Sequence, residues 1–433
     1  MKIPSDDLSR RTFLARSASR GLGLSIAGSA TNWFAAHHAS ASGLPGKKAK
    51  HIIYLYMAGG MSHLDTLDPK PDAPLTVRGP LETISTRVPG LRLGQYLSRT
   101  SKHAEKLCLV RSMTSTQGAH EPGKYFVHTG HTRLPSLTHP ALGAWMMKLS
   151  PEEAATLPRN LTIHAGNDHP GAGFLEPQYA PLPIGDAEKG LPFARSHRSD
   201  RQDALTQQMA LRKQLDAEFN AEFSPGYRKL RAYDQVFDSA VSLMKSEDLK
   251  AFDLSLEPPE TRALYGSDRF GKGVLLARRL VQHGVRFVEV QLGGFDWHSD
   301  NFTQAAEKLP ILDQALSALL EDLTRTGLIE ETLVVLATEF GRSPEIDADA
   351  GRNHHPKAFS FLLAGAGVKG GHVHGATDAT GDAVVSEKTT IPDFNATIAA
   401  AAGIPHNQQV WSPSKRPFTI GGRNGRPISA ILS

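Results

Sequence analysis

This sequence of 433 residues is poor in cysteine, in long apolar runs and in clustered basic charge. Its single cysteine, Cys108, excludes an intramolecular disulfide framework. Because Cys108 lies in the apolar segment 107–110, we expect an inert buried thiol rather than a nucleophile. No segment of the mature chain offers the roughly 20 apolar residues that a membrane-spanning helix needs. The formal net charge is +4 without a basic stripe carrying aromatic residues, so we expect no nucleic-acid partner.

The first 41 residues have the three parts of an export signal. Ser9-Arg10-Arg11-Thr12-Phe13-Leu14 is a twin-arginine pattern, residues 21–36 are weakly apolar and rich in small residues, and Ala39-Ser40-Ala41 resembles a cleavage site. We therefore predict a Tat signal peptide over residues 1–41 and a mature domain over residues 42–433. The protein would be periplasmic or extracellular, and it would meet a membrane only during export.

The mature chain alternates apolar strand patterns with amphipathic helix patterns. Strands are predicted at 51–57, 107–111, 285–292, 332–338 and 358–363, and helices at 271–283, 303–326 and 393–402. Pro310 should kink the second of these helices or start it afresh. Such alternation indicates an α/β fold with a largely parallel sheet. Residues from about 150 to 265 are different, because amphipathic patterns dominate there, and we predict a mostly helical insertion.

Polar residues follow several predicted strands at the point where each strand ends. Because the carboxyl ends of parallel strands meet at one sheet edge, these side chains should converge there. The sequence is rich in His, with 19 residues, and imidazole together with carboxylate is a ligand set for divalent cations. We therefore expect a metal site with zinc as the first choice and manganese, iron or calcium as alternatives. The candidate ligands are Asp65, Asp296, His298, Glu339, His354 and His355.

Four motifs carry a family resemblance. They are Gly-Gly-Met-Ser-His-Leu-Asp-Thr-Leu-Asp-Pro-Lys-Pro at 59–71, the helix-to-strand segment at 275–288 leading to Gly-Gly-Phe-Asp-Trp-His at 293–298, Thr-Glu-Phe-Gly-Arg at 338–342 and Gly-Arg-Asn-His-His-Pro at 351–356. Together they span nearly the whole mature chain. The sequence resembles a family of Tat-exported bacterial proteins related to sulfatases and alkaline phosphatases. The resemblance implies an alkaline-phosphatase-like three-layer α/β/α sandwich and hydrolysis or transfer of phosphate or sulfate esters.

The resemblance also implies roles for single residues. Asp296 and His298 resemble the metal-binding Asp-and-His pair of that superfamily, and His355, with His354 beside it, resembles its late metal-binding His. Glu339 stands where many members have Asp-His, so Phe340 replaces one expected ligand. Counting back from Thr129-Gly130 places His120 near the usual nucleophile, and the Cys-x-Pro-x-Arg signature of sulfatases is absent.

Two chemical routes are compatible with these residues. In the first, a metal-activated water attacks the ester, His120 or His63 acts as general acid or base, and Arg342 or Arg352 holds the anionic group. In the second, Ser62 is the covalent nucleophile, activated by the metal or by His63. The residue evidence slightly favours the first route. For Ser62 the competing interpretation is turn chemistry, and for Arg342 it is a structural salt bridge.

The leading functional hypothesis is an exported metal-dependent hydrolase of a phosphate or sulfate ester, with a small molecule or carbohydrate as substrate. The competing hypothesis is a catalytically inactive protein that binds metal or glycan on the same scaffold, because no usual nucleophile is present. Metal content and hydrolysis of aryl esters separate the two hypotheses.

Overall fold

A computed structural model describes residues 48–151, 155–191, 207–208, 210–212, 214, 240–244 and 246–433. The predicted signal peptide at 1–41 and much of the predicted helical insertion lie outside these residues. The division of the chain into a leader, a main domain and an insertion therefore stays a prediction. Within the described part of the insertion, two short strands, at Asn160–Ile163 and Leu182–Ile184, pair with each other and extend the central sheet.

The centre of the molecule is a mixed sheet whose strands come from the whole described chain. In the order of the chain, its strands are β1 His51–Ala58, β4 Leu107–Thr114, β5 Asn160–Ile163, β6 Leu182–Ile184, β7 Phe287–Gly293, β8 Thr332–Ala337, β11 Phe359–Gly365, β12 His372–His374 and β15 Thr389–Thr390. Their spatial order is β12-β4-β11-β8-β1-β7-β5-β6, with β15 also paired to β4. Only β11 runs antiparallel to its neighbours, β4 and β8.

The remaining strands form two-stranded ribbons outside this sheet. They are β2 Thr83–Ser85 with β3 Arg92–Gly94, β9 Gly341–Arg342 with β10 His354–His355, β13 Ala376–Thr377 with β14 Val384–Ser386, and β16 Val410–Trp411 with β17 Pro417–Phe418. The α-helices are α1 Leu75–Arg78, α2 His120–Thr129, α3 Leu142–Leu149, α4 Pro259–Tyr265, α5 Arg269–Gln282, α6 Asn301–Arg325 and α7 Ile391–Ala401. None of the described helices is long and apolar enough to cross a bilayer.

Both faces of the sheet are covered by helices because β1 is apolar on both sides. Ile53, Leu55 and Met57 pack in one core cluster with α5 and α6. The alternate residues, including Ile52, Tyr54 and Tyr56, pack in a second cluster with α2, α3 and α7. Successive side chains of a strand point to opposite faces, so one fully buried strand can serve two helical layers. The predicted three-layer α/β/α architecture with a largely parallel sheet is confirmed.

The predicted elements agree with the structure in kind and differ at their ends. The long helix α6 includes Pro310 within a single element, so the proline does not divide it. Helix α7 begins two residues before the predicted start, because Thr390 and Asp393 form a capping box. Cys108 is fully buried in β4, and burial raises the pKa of its thiol to about 12, in agreement with an inert role.

Candidate metal centre

Five segments of the chain meet at one edge of the sheet. The parallel strands β1, β7 and β8 end there, and the residues that follow them include Gly59, Asp296 and Glu339. Strand β4 also ends there and leads into α2, whose first residue is His120. Because β11 is antiparallel, the chain enters it from this same edge, and His354 lies just before it. The reversed strand therefore adds a ligand from its amino-terminal side.

These segments place three imidazoles around one carboxylate, and we call His120, Asp296, His298 and His354 the strand-end cluster. Asp296 Oδ2 lies 3.1 Å from His120 Nε2. Asp296 Oδ1 lies 3.0 Å from His298 Nε2 and 3.2 Å from His354 Nε2. His298 Nε2 and His354 Nε2 are 3.0 Å apart. The ligand atoms of His120, Asp296 and His354 all lie within 4.8 Å of one another, so they can share one cation.

Hydrogen bonds behind the cluster fix the orientation of two of its imidazoles. His120 Nδ1 donates to Glu339 Oε1 at 3.0 Å, and His354 Nδ1 donates to the carbonyl oxygen of Gly118 at 2.9 Å. Both acceptors require a proton on Nδ1, so each Nε2 is the atom that faces Asp296. Such outer hydrogen bonds are typical of metal-binding histidines, because they fix the tautomer and raise the basicity of the ligand nitrogen.

Glu339 belongs to this outer layer and does not contact Asp296. It is buried, and its oxygen atoms accept hydrogen bonds from Gly59 N at 2.8 Å and from the Tyr56 hydroxyl at 2.9 Å, besides that from His120. Burial raises the pKa of this carboxyl, but these hydrogen bonds outweigh burial and lower it overall. In this arrangement Glu339 orients His120, and the expectation that it is a direct ligand stays a prediction.

Gly59 permits the close approach of β1 and β7 at the cluster. Its φ of +116° is rare for residues that carry a side chain. A Cβ at this position would lie 2.7 Å from the backbone nitrogen of Asp296. The glycine that sequence analysis treats as a turn residue thus also makes room for the segment that carries the central carboxylate.

Arg342 is a structural residue of the cluster. It is fully buried, and its guanidinium donates to the carbonyl oxygens of Gly60 at 2.9 Å and of Arg352 at 2.9 Å, and to Asp296 Oδ1. Burial raises the pKa of Asp296, but the hydrogen bond and charge of Arg342, together with the neighbouring histidines, outweigh burial and lower it overall. Because its N–H donors are occupied within the protein, Arg342 holds Asp296 in place and has no free guanidinium N–H pair to offer to a substrate anion.

A divalent cation fits the strand-end cluster. His120 Nε2 is buried and has no hydrogen-bond partner among the described residues, although it faces Asp296 Oδ2. A buried polar atom without a partner is costly. A cation between this nitrogen, the carboxylate and His354 Nε2 would satisfy all three, and two imidazoles with one carboxylate match the ligand preference of zinc.

Asp65 and Arg352 lie apart from the cluster in a buried ion pair. Arg352 Nε and Asp65 Oδ2 are 3.1 Å apart, and Asn301 donates to the same oxygen at 3.0 Å. Arg352 also donates to the carbonyl oxygens of Ser343 and Pro344. The structure thus pairs Asp65 and Arg352 with each other and does not bring the side chain of either to the strand-end cluster. The expected roles of Asp65 as a metal ligand and of Arg352 as a group that holds the ester stay predictions.

His355 is directed away from the cluster although it follows His354. The two residues form β10, where neighbouring side chains point to opposite sides. His355 Nε2 donates to the carbonyl oxygen of Asp382 at 2.7 Å. The structure thus brings His354 to the cluster and leaves His355 outside it, and the expectation that His355 is a ligand stays a prediction.

Ser62 and His63 are buried in the turn after β1. The Ser62 hydroxyl accepts a hydrogen bond from Asp65 N at 3.3 Å, and the carbonyl of Ser62 accepts one from Thr66, so this residue has turn chemistry. His63 Nε2 donates to the carbonyl oxygen of Gly381 at 2.9 Å, and burial lowers its pKa to about 4. The structure does not place either residue in the strand-end cluster, and the catalytic roles expected for them stay predictions.

A second group of polar residues lies beside β7, and the sequence analysis does not predict it. We call His128, His169 and Glu289 the buried triad. Glu289 projects from the middle of β7 onto the α2 side, with its oxygens 3.0 Å from His128 Nε2 and 3.4 Å from His169 Nε2. The available signal is a glutamate in the middle of a largely apolar strand, because a buried carboxylate needs partners.

Hydrogen bonds give the buried triad a complete proton assignment without a cation. His169 Nδ1 accepts from the backbone N–H of Gly171 at 3.1 Å, so its Nε2 carries the proton and faces Glu289. His128 Nδ1 faces the carbonyl oxygen of Lys124 at 2.7 Å and its Nε2 faces Glu289. Both nitrogens of His128 are therefore donors, as in an imidazolium. The triad is a buried ion pair, which distinguishes it from the strand-end cluster.

Replacing Glu339 by glutamine should weaken metal binding by about 10- to 100-fold, because an outer partner of His120 loses its charge. Competition with a chelating metal indicator measures this change. Glu345→Gln is a control in the polar loop after β9, and it should leave the affinity unchanged. Equal affinities for Glu339→Gln and the unmodified chain would show that Glu339 does not tune the ligand.

A model of the family described as "Protein of unknown function (DUF1501)" matches residues 49–432. No curated protein matches the chain at a significant level. Among solved structures, that of Ps i-CgsB is similar at 13% identity with a TM-score of 0.41, covering 83% of this chain and 73% of that one. The lipoteichoic acid synthase LtaP from Listeria monocytogenes is similar at 10% identity with a TM-score of 0.40, covering 87% and 76%. A variant of TAB5 alkaline phosphatase is similar at 10% identity with a TM-score of 0.34, covering 83% and 99%.

Proposed function

We propose that this chain, which belongs to the family described as "Protein of unknown function (DUF1501)", is a metal-dependent hydrolase of an anionic ester. The observation that carries the proposal is the buried Nε2 of His120, which faces Asp296 without a hydrogen-bond partner. An imidazole held in this way by Glu339 is prepared to bind a cation. The motif resemblance to sulfatases and alkaline phosphatases supports the same class of chemistry.

His120, Asp296 and His354 would hold the cation, and His298 lies beside them as a fourth donor. When bound, a divalent cation would supply Lewis-acid polarisation of the ester and would lower the pKa of a coordinating water. Glu339 keeps the His120 ring in position through its Nδ1–H, and Arg342 holds Asp296 from behind. We propose zinc as the cation because two imidazoles and a carboxylate suit it.

The position of the cluster suits an anionic substrate. His120 is the first residue of α2, and the amino-terminal end of a helix carries partial positive charge and unpaired backbone N–H groups. The side chains of Asp296 and His298 are 44% and 47% exposed, so the cluster is open to solvent. An ester could therefore reach the ligands without opening the fold.

The attacking group that this geometry favours is water. Ser62 is occupied by turn hydrogen bonds, and the Cys108 thiol lies in β4 in the core. The route through a covalent serine has no support from these positions. We therefore propose the water route, without a covalent intermediate on the protein.

We extend the proposal to location and substrate. The twin-arginine pattern at residues 9–14 supports export by the Tat pathway to the periplasm or the outside of the cell. The substrate would be a phosphate or sulfate ester on a small molecule or a carbohydrate.

A second candidate function is metal binding without catalysis. It is favoured by one observation: Arg342 and Arg352, the basic residues expected to hold the ester, have their donors occupied by carbonyl oxygens and carboxylates. A site without a free guanidinium would bind a cation more readily than it would stabilise a transferring sulfate or phosphate group.

Metal analysis combined with hydrolysis assays tests both candidates. The purified full chain is analysed by mass spectrometry for bound metals, and 4-nitrophenyl phosphate and sulfate are offered with added zinc, manganese, iron(II) or calcium. We expect stoichiometric metal and turnover of at least one ester. His354→Ala should lose both, whereas His372→Ala, on the edge strand β12, should retain both.

The outcomes separate the two functions. Bound metal that depends on His354, without turnover of either ester under any cation, would replace the hydrolase with the non-catalytic candidate. A chain without metal, or one whose metal survives His354→Ala, would contradict the assignment of the strand-end cluster.

A further inference from the structure

A cleft lies beyond the carboxyl-terminal end of α2. It has a volume of ≈ 800 Å³, within the range of small-molecule sites, and is lined by residues from the loops after α2 and α7 and by the β16–β17 ribbon. Helix α2 has 10 residues, so at about 1.5 Å per residue the cleft begins roughly 15 Å from the strand-end cluster. The cleft is thus separate from the proposed metal site.

The charge of this cleft is positive and uncompensated. Arg416 and Arg423 line it together with His131 and His406, and no carboxylate lines it. Within the described part of the chain, neither guanidinium has a carboxylate at ion-pair distance, in contrast to the fully engaged Arg342 and Arg352. Two solvent-facing guanidinium groups in one concave surface favour a ligand that carries sulfate, phosphate or carboxylate groups.

The uncharged part of the lining is suited to a sugar. Asn407 and Gln409 supply amides, each with both a donor and an acceptor, which can pair with hydroxyl groups. Phe418 supplies an aromatic wall. An aromatic surface next to amides and guanidinium groups matches the apolar and hydroxyl faces of a charged saccharide.

The wall of the cleft formed by His131 and Phe418 is held in place by several contacts. His131 lines the cleft, stacks on His139 with ring centroids 4.5 Å apart, and donates through Nε2 to the carbonyl oxygen of Thr419 at 3.0 Å. Phe418 contacts both imidazoles edge-on. His139 Nδ1 and its backbone N–H both bond the Tyr125 hydroxyl, so that its buried Nε2–H has no acceptor among the described residues. A pre-formed wall of this kind lowers the entropic cost of binding.

We propose that this cleft binds an acidic saccharide independently of the strand-end cluster. The guanidinium groups of Arg416 and Arg423 contact its anionic substituents, the amides contact its hydroxyls, and Phe418 contacts its apolar face. A chain that hydrolyses nothing would still bind this ligand, so the cleft does not depend on the proposed hydrolase function.

Calorimetric titration of the full chain in EDTA tests the proposal. The probes are three hexasaccharides of matched length: a sulfated dextran fragment, an oligogalacturonate and an uncharged dextran fragment. We expect both acidic probes to bind and the neutral one not to bind. Arg416→Gln combined with Arg423→Gln should weaken binding by at least about 100-fold, since the loss of each charge-assisted hydrogen bond should cost at least about tenfold.

Matched controls make the result specific. Arg87→Gln combined with Lys102→Gln removes the same charge from exposed positions elsewhere and should leave the affinity within about twofold. The proposal is overturned if the Arg416 and Arg423 double variant binds like the unmodified chain, or if polyphosphate or single-stranded DNA binds as tightly as the acidic saccharides.

The test is distinguishable from that of the hydrolase. His120→Ala, which removes a proposed metal ligand, should leave the saccharide affinity unchanged. Loss of saccharide binding in this variant with an intact fold would show that the cleft and the cluster are one site and would overturn their independence.

Discussion

Replacing Glu289 by glutamine should lower the free energy of unfolding by about 3–5 kcal/mol, the usual cost of breaking a buried ion pair. Glu289 is the acceptor for His128 and His169, and it is 2% exposed. Without its charge, the buried imidazolium of His128 has no counter-ion. Urea denaturation followed by circular dichroism measures the change.

A surface pair provides the control for this variant. Glu331 pairs with Lys50 at 2.6 Å, but both side chains are largely exposed. Glu331→Gln should therefore cost no more than about 1 kcal/mol. A similar, small cost for Glu289→Gln would contradict the ion-pair assignment of the buried triad, as would a second stoichiometric metal that depends on Glu289.

The ion pair between His128 and Glu289 should contribute to stability only within a limited range of pH. Burial lowers the pKa of His128, but the charge of Glu289 and its hydrogen bond outweigh burial and raise it overall. Burial raises the pKa of Glu289, but the two histidines lower it overall. The contribution of His128 is complete below its unfolded pKa of about 6.5 and is lost as the pH rises through the folded value. The contribution of Glu289 is complete above about 4.5 and is lost as the pH falls through its folded value.

The difference in stability between the unmodified chain and Glu289→Gln should therefore be largest from about pH 4.5 to 6.5 and decrease on either side. Unfolding measured at half-unit steps of pH tests this profile. A difference that keeps growing above the folded pKa of His128 would show that this histidine is not charged in the folded protein.

Asp296→Asn should reduce bound metal to background. The carboxylate of Asp296 is the only one in the strand-end cluster, and all three imidazoles approach it. An amide oxygen carries no charge, so the loss should exceed the about 10- to 100-fold expected for an outer partner such as Glu339. Elemental analysis and competition with a chelating indicator measure the loss.

The fold should survive this replacement, because Arg342 keeps its hydrogen bonds to backbone carbonyl oxygens. Circular dichroism checks this point. Asp72→Asn, at an exposed position after β1, is the matched control and should retain the metal. Stoichiometric metal in a folded Asp296→Asn variant would show that the cation lies elsewhere.

Sequence patterns predict the sheet and its edge because both follow from local rules. The apolar strands can be recognised from the sequence alone, and the residues that follow their carboxyl ends include Asp296 and Glu339. His120 follows the end of β4, and it lies in the strand-end cluster. The sequence places it near the usual position of the nucleophile, whereas the structure makes it a candidate metal ligand. The role of each residue nevertheless depends on distances of a few Å, which strand patterns do not contain.

The pair His354-His355 shows where such reasoning stops. Neighbouring residues of an extended segment point to opposite sides, so only one of the two can face the cluster. Which one does so depends on the register of β9 and β10, where His354 is opposite Arg342. Register is set by tertiary pairing, and the sequence of the loop does not encode it locally.

Buried ion pairs are a second limit. Asp65 resembles a ligand in the sequence because it follows the first strand, but its partner Arg352 is 287 residues away. Glu289 likewise finds His128 across 161 residues. The sequence indicates that a buried acid needs a partner, while only the packed structure shows which cation reaches it.

The position of β1 in the sheet has a consequence for the timing of folding. This strand is the first of the described chain, yet it pairs only with β7 and β8, more than 220 residues later. Pairings so distant form slowly, and during synthesis β1 has no sheet partner until β7 has emerged. His354 follows later still, so the cation ligands meet only when most of the polypeptide is complete. A cation at the proposed site would then be bound late, in the compartment in which the finished chain folds.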